Sequence, residues 1–216
     1  MANAAEITLA VAAGASAVGL VSAMPSGPGI LADDVITQLA RLVPPPVMSV
    51  LLTSRTALAE ILAQQRRCRA SVLQLCDSVT PDTRRGLRDA LPSVRIMQVI
   101  HVRGESSIPE AREAAETSDA LLLDSGRPVA AQRTLGGTGL THDWEISRAI
   151  RDAIGIPLFL AGGLHAENVG RAIAQVRPFG VDVCTGVRTD GSLDADKLRR
   201  FVAAVRGVEI EACEKG

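Results

Sequence analysis

The carboxyl group best placed for proton chemistry in this sequence is Asp124, which ends the apolar run DALLLD (119–124). A run of that kind reads as a strand covered on both faces. Catalytic groups of a βα barrel lie at the C-terminal ends of such strands. Partial burial there disfavours ionisation, so Asp124 is suited to hold a proton and donate it near neutral pH. The plainer reading is an Asp that only caps its loop. His101, at the end of another apolar run, is a candidate for substrate contact or a polar residue of the rim. Cys76 and Cys184 also fall at predicted strand ends, although a small buried cysteine is commoner than a reactive one.

A second group of residues is suited to an anion. Residues 156–187, IPLFLAGGLHAENVGRAIAQVRPFGVDVCTGV, read as strand, glycine turn, helix, strand, glycine turn. The strand at 157–161 stops at Gly162 and Gly163, and a strand at 179–184 is predicted to stop at Thr185 and Gly186. Glycines let a backbone approach an anion closely, and oriented N–H groups supply positive potential. In an eight-fold βα barrel the phosphate site lies on the loops after the last two strands. The alternative is that these glycines only cap their strands.

Regular elements must position these groups. A helix over 4–13 stops at Gly14, and strands follow at 17–22, 47–52, 71–75, 95–102 and 119–124. Between them, the apolar spacing predicts helices from Asp33 with Val35, Leu39 and Leu42 inward, and over 56–67 with Leu58, Ile61 and Leu62 inward. Arg66, Arg67 and Arg69 give the latter a solvated basic face. Thr80-Pro81-Asp82 reads as an N-cap, N1 proline and acidic first turn. Further helices are expected over 108–116, from Asp143 with Ile146, Ile150 and Ile154 inward, and over 194–206 with Leu198, Phe201, Val202 and Val205 inward. In the helix between the two glycine turns, Val169, Ala172, Ile173 and Val176 form the buried stripe. The pattern is seven strands and eight helices in strict alternation, which implies parallel strands joined by right-handed crossovers. The reading is one α/β domain over 1–216, with 207–216 a frayed polar tail. A closed barrel wants eight strands, and the eighth would stand just before Met1.

Composition narrows the function. The chain has 47% hydrophobic residues, a net charge of −1, three Phe, one Trp and no Tyr. Such a surface offers neither a broad polyanion-binding face nor many rings for stacking bases. Cys68, Cys76, Cys184 and Cys213 are scattered, so neither a zinc site nor a disulfide framework is suggested and a reducing cytosol is the expected compartment. No basic-then-apolar leader and no membrane-spanning run is apparent.

The segments GASAVGLV, VLQL, DALLLDS, GGTGLTHDW, FLAGGLHAENV and RPFGVDVCTGV, in this order and spacing, resemble the phosphoribosylanthranilate isomerase family. These are the tryptophan-pathway members of the phosphate-binding TIM (β/α)8 barrels. The resemblance implies an Amadori rearrangement that turns a phosphoribosylated anthranilate from aldose-type amine to ketose. It makes Asp124 the general acid and Gly162, Gly163, Cys184, Thr185 and Gly186 the phosphate-binding turns, with Asp182 an acidic position beside them. Gly137 and Gly139 belong to the loop that closes over substrate, and Gln74 and His101 are further candidates for substrate contact. The family's general base is a Cys on a first strand of the KICGIT type, which this chain does not carry. The family's early loop has an Arg suited to the anthranilate carboxylate, whereas MPSGPG (24–29) has none.

Two other functions stay open at this level: an isomerase or lyase acting on another sugar phosphate, and a barrel that binds a phosphorylated ligand without turnover. No metal or organic cofactor is expected, because the rearrangement needs only proton transfers. The expected partner is a small phosphorylated sugar, with no nucleic acid and no membrane, in a cytoplasmic monomer or homodimer. The strands at 17–22 and 179–184 are expected to be open edges that pair with another strand or chain.

Overall fold

Strands β1 (Ala17–Val21), β2 (Met48–Thr53), β3 (Val72–Leu75), β4 (Arg95–His101) and β5 (Ala120–Asp124) follow one another in space as in sequence. Two short hairpin strands, β6 (Pro128–Val129) and β7 (Gln132–Arg133), come next, and β8 (Leu158–Leu160) and β9 (Gly180–Val181) complete the main sheet. Its order is β1-β2-β3-β4-β5-β8-β9, every pairing parallel, with β1 and β9 as its two edges. This computed structural model describes residues 1–25, 29–125, 128–129, 132–133 and 143–214, with 128–129, 132–133 and 209–214 described by their backbone alone.

Eight α-helices among the described residues join the strands: α1 (Ala4–Ala13), α2 (Asp33–Leu42), α3 (Leu58–Cys68), α4 (Pro81–Ala90), α5 (Ser107–Ala115), α6 (Trp144–Ala153), α7 (Val169–Val176) and α8 (Ala195–Glu214). Local chemistry sets several of their ends. Asn3 accepts a hydrogen bond from the Glu6 N–H, and Gly14 closes α1 in the left-handed region at φ 95°. Thr80 caps α4 ahead of Pro81, and Asp143 caps α6.

Several expectations need correction. On α2 it is Ile36, not Leu42, that is buried with Leu39, and Leu42 is exposed. Two overlapping apolar stripes fit that helix, and the neighbour it meets selects one. On α3, Gln64, Gln65 and Cys68 are buried beside Ile61. The basic face of Arg66, Arg67 and Arg69 is exposed as expected, with Arg67 also paired to Asp33 at 2.7 Å. The last sheet strand is only Gly180–Val181, and Cys184 stands outside it, before a short 3-10 turn, Thr185–Val187. Helix α8 continues past Gly207 to Glu214, so the expected helix end at Arg206 was too early. The hairpins β6–β7 and β10 (Arg188–Thr189) with β11 (Ser192–Leu193) were not foreseen.

The core lies mainly between sheet and helices. One cluster gathers Ile7, Leu20, Ile36, Leu51, Ile61, Leu73, Leu87 and Ile96, and another gathers Leu121, Leu123, Ile150, Leu158, Leu160, Val169 and Phe201. Each such side chain contributes about 1.5–3 kcal/mol on burial. Alternate residues of the same strands point inward, where Cys76, Val99, Leu122 and Ala161 pack with Met24, Leu52, Met97 and Phe159.

Two polar clasps hold loops at the C-terminal ends of the strands. The buried Arg84 guanidinium of α4 donates to the Val79 carbonyl, to Thr117 Oγ1 at 2.6 Å and to Glu113 Oε2 at 2.9 Å. Beside it, Gln98 Nε2 donates to the carbonyls of Leu75 and Asp77, which fixes the chain leaving β3. Across the sheet's two edges, Glu6 of α1 accepts from Arg188 at 2.9 and 2.8 Å and from the Leu193 N–H at 3.1 Å.

Candidate active site

Asp124 is the last residue of β5 and points into the barrel mouth, two residues beyond the inward Leu122. Its Oδ1 accepts from the Ser125 N–H at 2.7 Å. Burial pushes its pKa up; the charge of His101 and hydrogen bonds from Ser125 pull the other way, and burial wins. The β8 turn presses on it directly. Gly162 has φ +86°, and a Cβ there would stand 2.8 Å from the Ser125 N and 3.0 Å from Asp124 Oδ1. Only a residue without a side chain fits that approach.

His101 ends β4 in register with Asp124. Its Nε2 is 3.0 Å from the Cys76 carbonyl oxygen, and its Nδ1 is buried with no hydrogen-bond partner among the described residues. Cys76 is buried after β3, next to the buried Gln74, whose Nε2 is 3.7 Å from its sulfur. Burial pushes the Cys76 thiol up to about 12, so it is a neutral thiol rather than a ready base. Gln74 faces the interior in register with Met97.

Asp182 follows β9, its N–H donating to the Leu160 carbonyl at 2.8 Å. Its surface is open to solvent although protein encloses it at longer range, as for a side chain lining a concave opening. Enclosure, and the repulsion of the Asp124 carboxyl, push its pKa up to about 6. Two carboxyl groups thus share the mouth, each biased toward its protonated form. The Cys184 thiol is also raised, first by burial and then by Asp182.

The two glycine turns meet. Gly163 has φ +63°, its carbonyl accepting from Asn168 Nδ2 at 2.9 Å while Asn168 Oδ1 accepts from the His165 N–H at 2.9 Å. Gly186, within the Thr185–Val187 turn, packs so tightly that a Cβ would fall 2.0 Å from the Leu164 carbonyl oxygen. The structure therefore brings together Asp124, His101, Gln74, Asp182, Cys184 and the turns at Gly162, Gly163, Thr185 and Gly186. Gly137 and Gly139 lie outside the described residues. Trp144 packs at the start of α6 under the Arg171 guanidinium, 5.3 Å from its ring centroid.

Sequence reasoning missed Ser125, whose backbone holds Asp124, and the Glu6–Arg188 clasp behind the Thr185–Gly186 turn. Ser125 could have been suspected from its place directly after Asp124. Nothing local signals a pair 182 residues apart.

Known proteins agree with this architecture over its length. A family model described as N-(5'phosphoribosyl)anthranilate (PRA) isomerase matches residues 1–204. An N-(5'-phosphoribosyl)anthranilate isomerase of Acidithiobacillus ferrooxidans is 38% identical over 206 residues, covering 95% of this chain and 94% of that protein. Its counterpart from Methanocella arvoryzae is 35% identical over 194 residues, covering 89% of each. Among solved structures, the Thermotoga maritima phosphoribosyl anthranilate isomerase superposes with a TM-score of 0.81 at 28% identity, covering 96% of each chain. Another, in complex with reduced 1-(o-carboxyphenylamino)-1-deoxyribulose 5-phosphate, gives 0.78 at 26% identity, covering 96% of this chain and 95% of that one. With the whole barrel and its mouth matched in this way, the chain belongs to the N-(5'-phosphoribosyl)anthranilate isomerase family.

Proposed function

We propose that this protein isomerises N-(5'-phosphoribosyl)anthranilate to its 1-deoxyribulose form in tryptophan biosynthesis, with Asp124 as the general acid. One observation carries the residue assignment: a carboxyl group kept toward its protonated form by burial, at the end of β5, with the β8 turn closed against it. Ring opening needs a proton on the departing ring oxygen, and a group of this kind supplies it. The phosphate belongs on the adjoining turns at Gly162–Gly163 and Thr185–Gly186, whose backbone N–H groups supply the positive potential that an anion needs. Asp182 stands between these turns and Asp124, close enough to feel its charge. The accompanying step removes a proton from the adjacent carbon. The neutral Cys76 thiol is poorly suited to that.

The MPSGPG segment, with no Arg, favours a second reading in which the substrate is another sugar phosphate. The test is turnover of N-(5'-phosphoribosyl)anthranilate, followed by loss of its fluorescence, together with rescue of a tryptophan auxotroph lacking this isomerase. Turnover and growth are expected. Soluble expression with neither result would shift the assignment to the other substrate class. Tight binding of a reduced substrate analogue without turnover on any sugar phosphate would mark a non-catalytic barrel.

A further inference from the structure

One polar atom in the barrel mouth, the Nδ1 of His101, is sealed from solvent and has no hydrogen-bond partner among the described residues. Buried ring nitrogens are nearly always paired, so an orphan there calls for a reason. The other nitrogen is committed: Nε2 lies 3.0 Å from the Cys76 carbonyl oxygen. A carbonyl only accepts, so Nε2 donates a proton to it, and the positive charge of the ring requires a second proton on the open Nδ1. The two nitrogens of an imidazole point in diverging directions, and β4 lies between β3 and β5. A ring anchored on the β3 side turns its Nδ1 away from β3, and the residue in register on β5 is Asp124. Strand alternation sends both side chains inward, since Val99 and Leu122, two positions earlier, pack in the interior cluster.

We propose that His101 is a positioning residue for the acid, its imidazole holding positive charge beside the Asp124 carboxylate left after proton donation. The inference rests on Asp124 acting as the acid. In that step the proton passes from the Asp124 carboxyl to the departing ring oxygen, and His101 neither gains nor loses one. Its charge stabilises the resulting anion and so tunes the pH at which Asp124 is reprotonated. Consistent with this, the His101 charge is the foremost of the effects that oppose burial at Asp124. The other titratable groups around this corner are Cys76 and Asp77 leaving β3, Asp182 after β9, and the Met1 α-amino group, which bears on Asp182. Arg103, just past β4, is engaged by Glu110 of α5 at 3.1 Å. Among these groups, only His101 can place a positive charge in register with Asp124.

The experiment separates tether from charge. His101→Gln keeps an N–H donor near the Nε2 position, and so the bond to the Cys76 carbonyl, but carries no charge; His101→Asn is the second variant should the first fold poorly. The Asp124 carboxyl is titrated by carbon-13 NMR in the full chain labelled at aspartate, its signal identified with Asp124→Asn. The Asp124 midpoint is expected to move to higher pH in the variant, and the alkaline limb of kcat to move with it. A midpoint unchanged in both folded variants overturns the proposal. The NMR reading needs no substrate, so a shifted midpoint in a protein that fails to turn over N-(5'-phosphoribosyl)anthranilate supports the coupling while refuting the proposed activity.

Discussion

Replacing Glu6 by Gln removes one charge from a clasp that joins the first helix to the last hairpin. The Glu6 carboxylate is 7% exposed and accepts from both terminal nitrogens of Arg188, from the Ala2 N–H at 2.8 Å and from the Leu193 N–H. Burial alone would raise its pKa. The hydrogen bonds from Arg188, Ala2 and Leu193 outweigh it and lower the value from 4.5 to about 2. Because the folded-state value is depressed, this stabilisation is complete above pH 4.5 and is lost as pH falls toward 2. At about 1.4 kcal/mol per pH unit, the difference corresponds to roughly 3 kcal/mol at neutral pH. Glutamine offers an amide N–H₂ to a guanidinium that also only donates, and leaves Arg188 without its counter-charge. Urea unfolding followed by circular dichroism at pH 7 should therefore show Glu6→Gln less stable by about 3 kcal/mol. For a chain of this size that is a drop of roughly 6–12 °C in Tm. Other carboxylates titrate in acid as well, so the quantity to follow is the difference between wild type and variant. It should shrink to less than half of its neutral value by about pH 3. A difference under about 0.5 kcal/mol at pH 7, or one independent of pH, would refute the reasoning.

Asp124→Asn keeps the shape but not the proton, and kcat should fall by about 10²–10⁴-fold with the circular dichroism spectrum unchanged; wild-type turnover in this variant would remove Asp124 from the acid's role. Gly186→Ala drives a Cβ to 2.0 Å from the Leu164 carbonyl oxygen, so it should cost about 1–3 kcal/mol and raise KM for a phosphorylated substrate more than it lowers kcat. Unchanged KM would show that the turn does not bear on the phosphate. Arg84→Ala opens a hole in a buried network and leaves the Val79 carbonyl and Thr117 without their donor. Chemical denaturation should register a loss of about 3 kcal/mol, and a loss below about 1 kcal/mol would mean that water replaces the guanidinium.

The alternation of strands and helices, Gly14 as a helix stop, the Thr80 cap and Asp124 at a strand end were all legible in the linear sequence. Each depends on contacts within a turn or two of chain, where side-chain spacing and the conformational freedom of glycine act alone. The family resemblance rested on the same segments, because the motif residues sit at strand ends whose order along the chain is also their order around the sheet. Which stripe of α2 would be buried was undetermined, since Ile36 and Leu42 are equally apolar and only the neighbouring strand separates them. The length of the last strand was likewise set by what it pairs with, and only Gly180 and Val181 lie in register with β8. The electrostatics of the site belonged wholly to tertiary structure. His101 faces Asp124 because β4 and β5 pair in one register out of several, and Asp182 feels Asp124 because β8 separates their strands by a single position. Glu6 meets Arg188 only when the first helix and the last hairpin come together. Charge interactions act through space and local propensity along the chain, so the sequence marked where the Asp124 carboxyl stands while the fold decided which charges surround it.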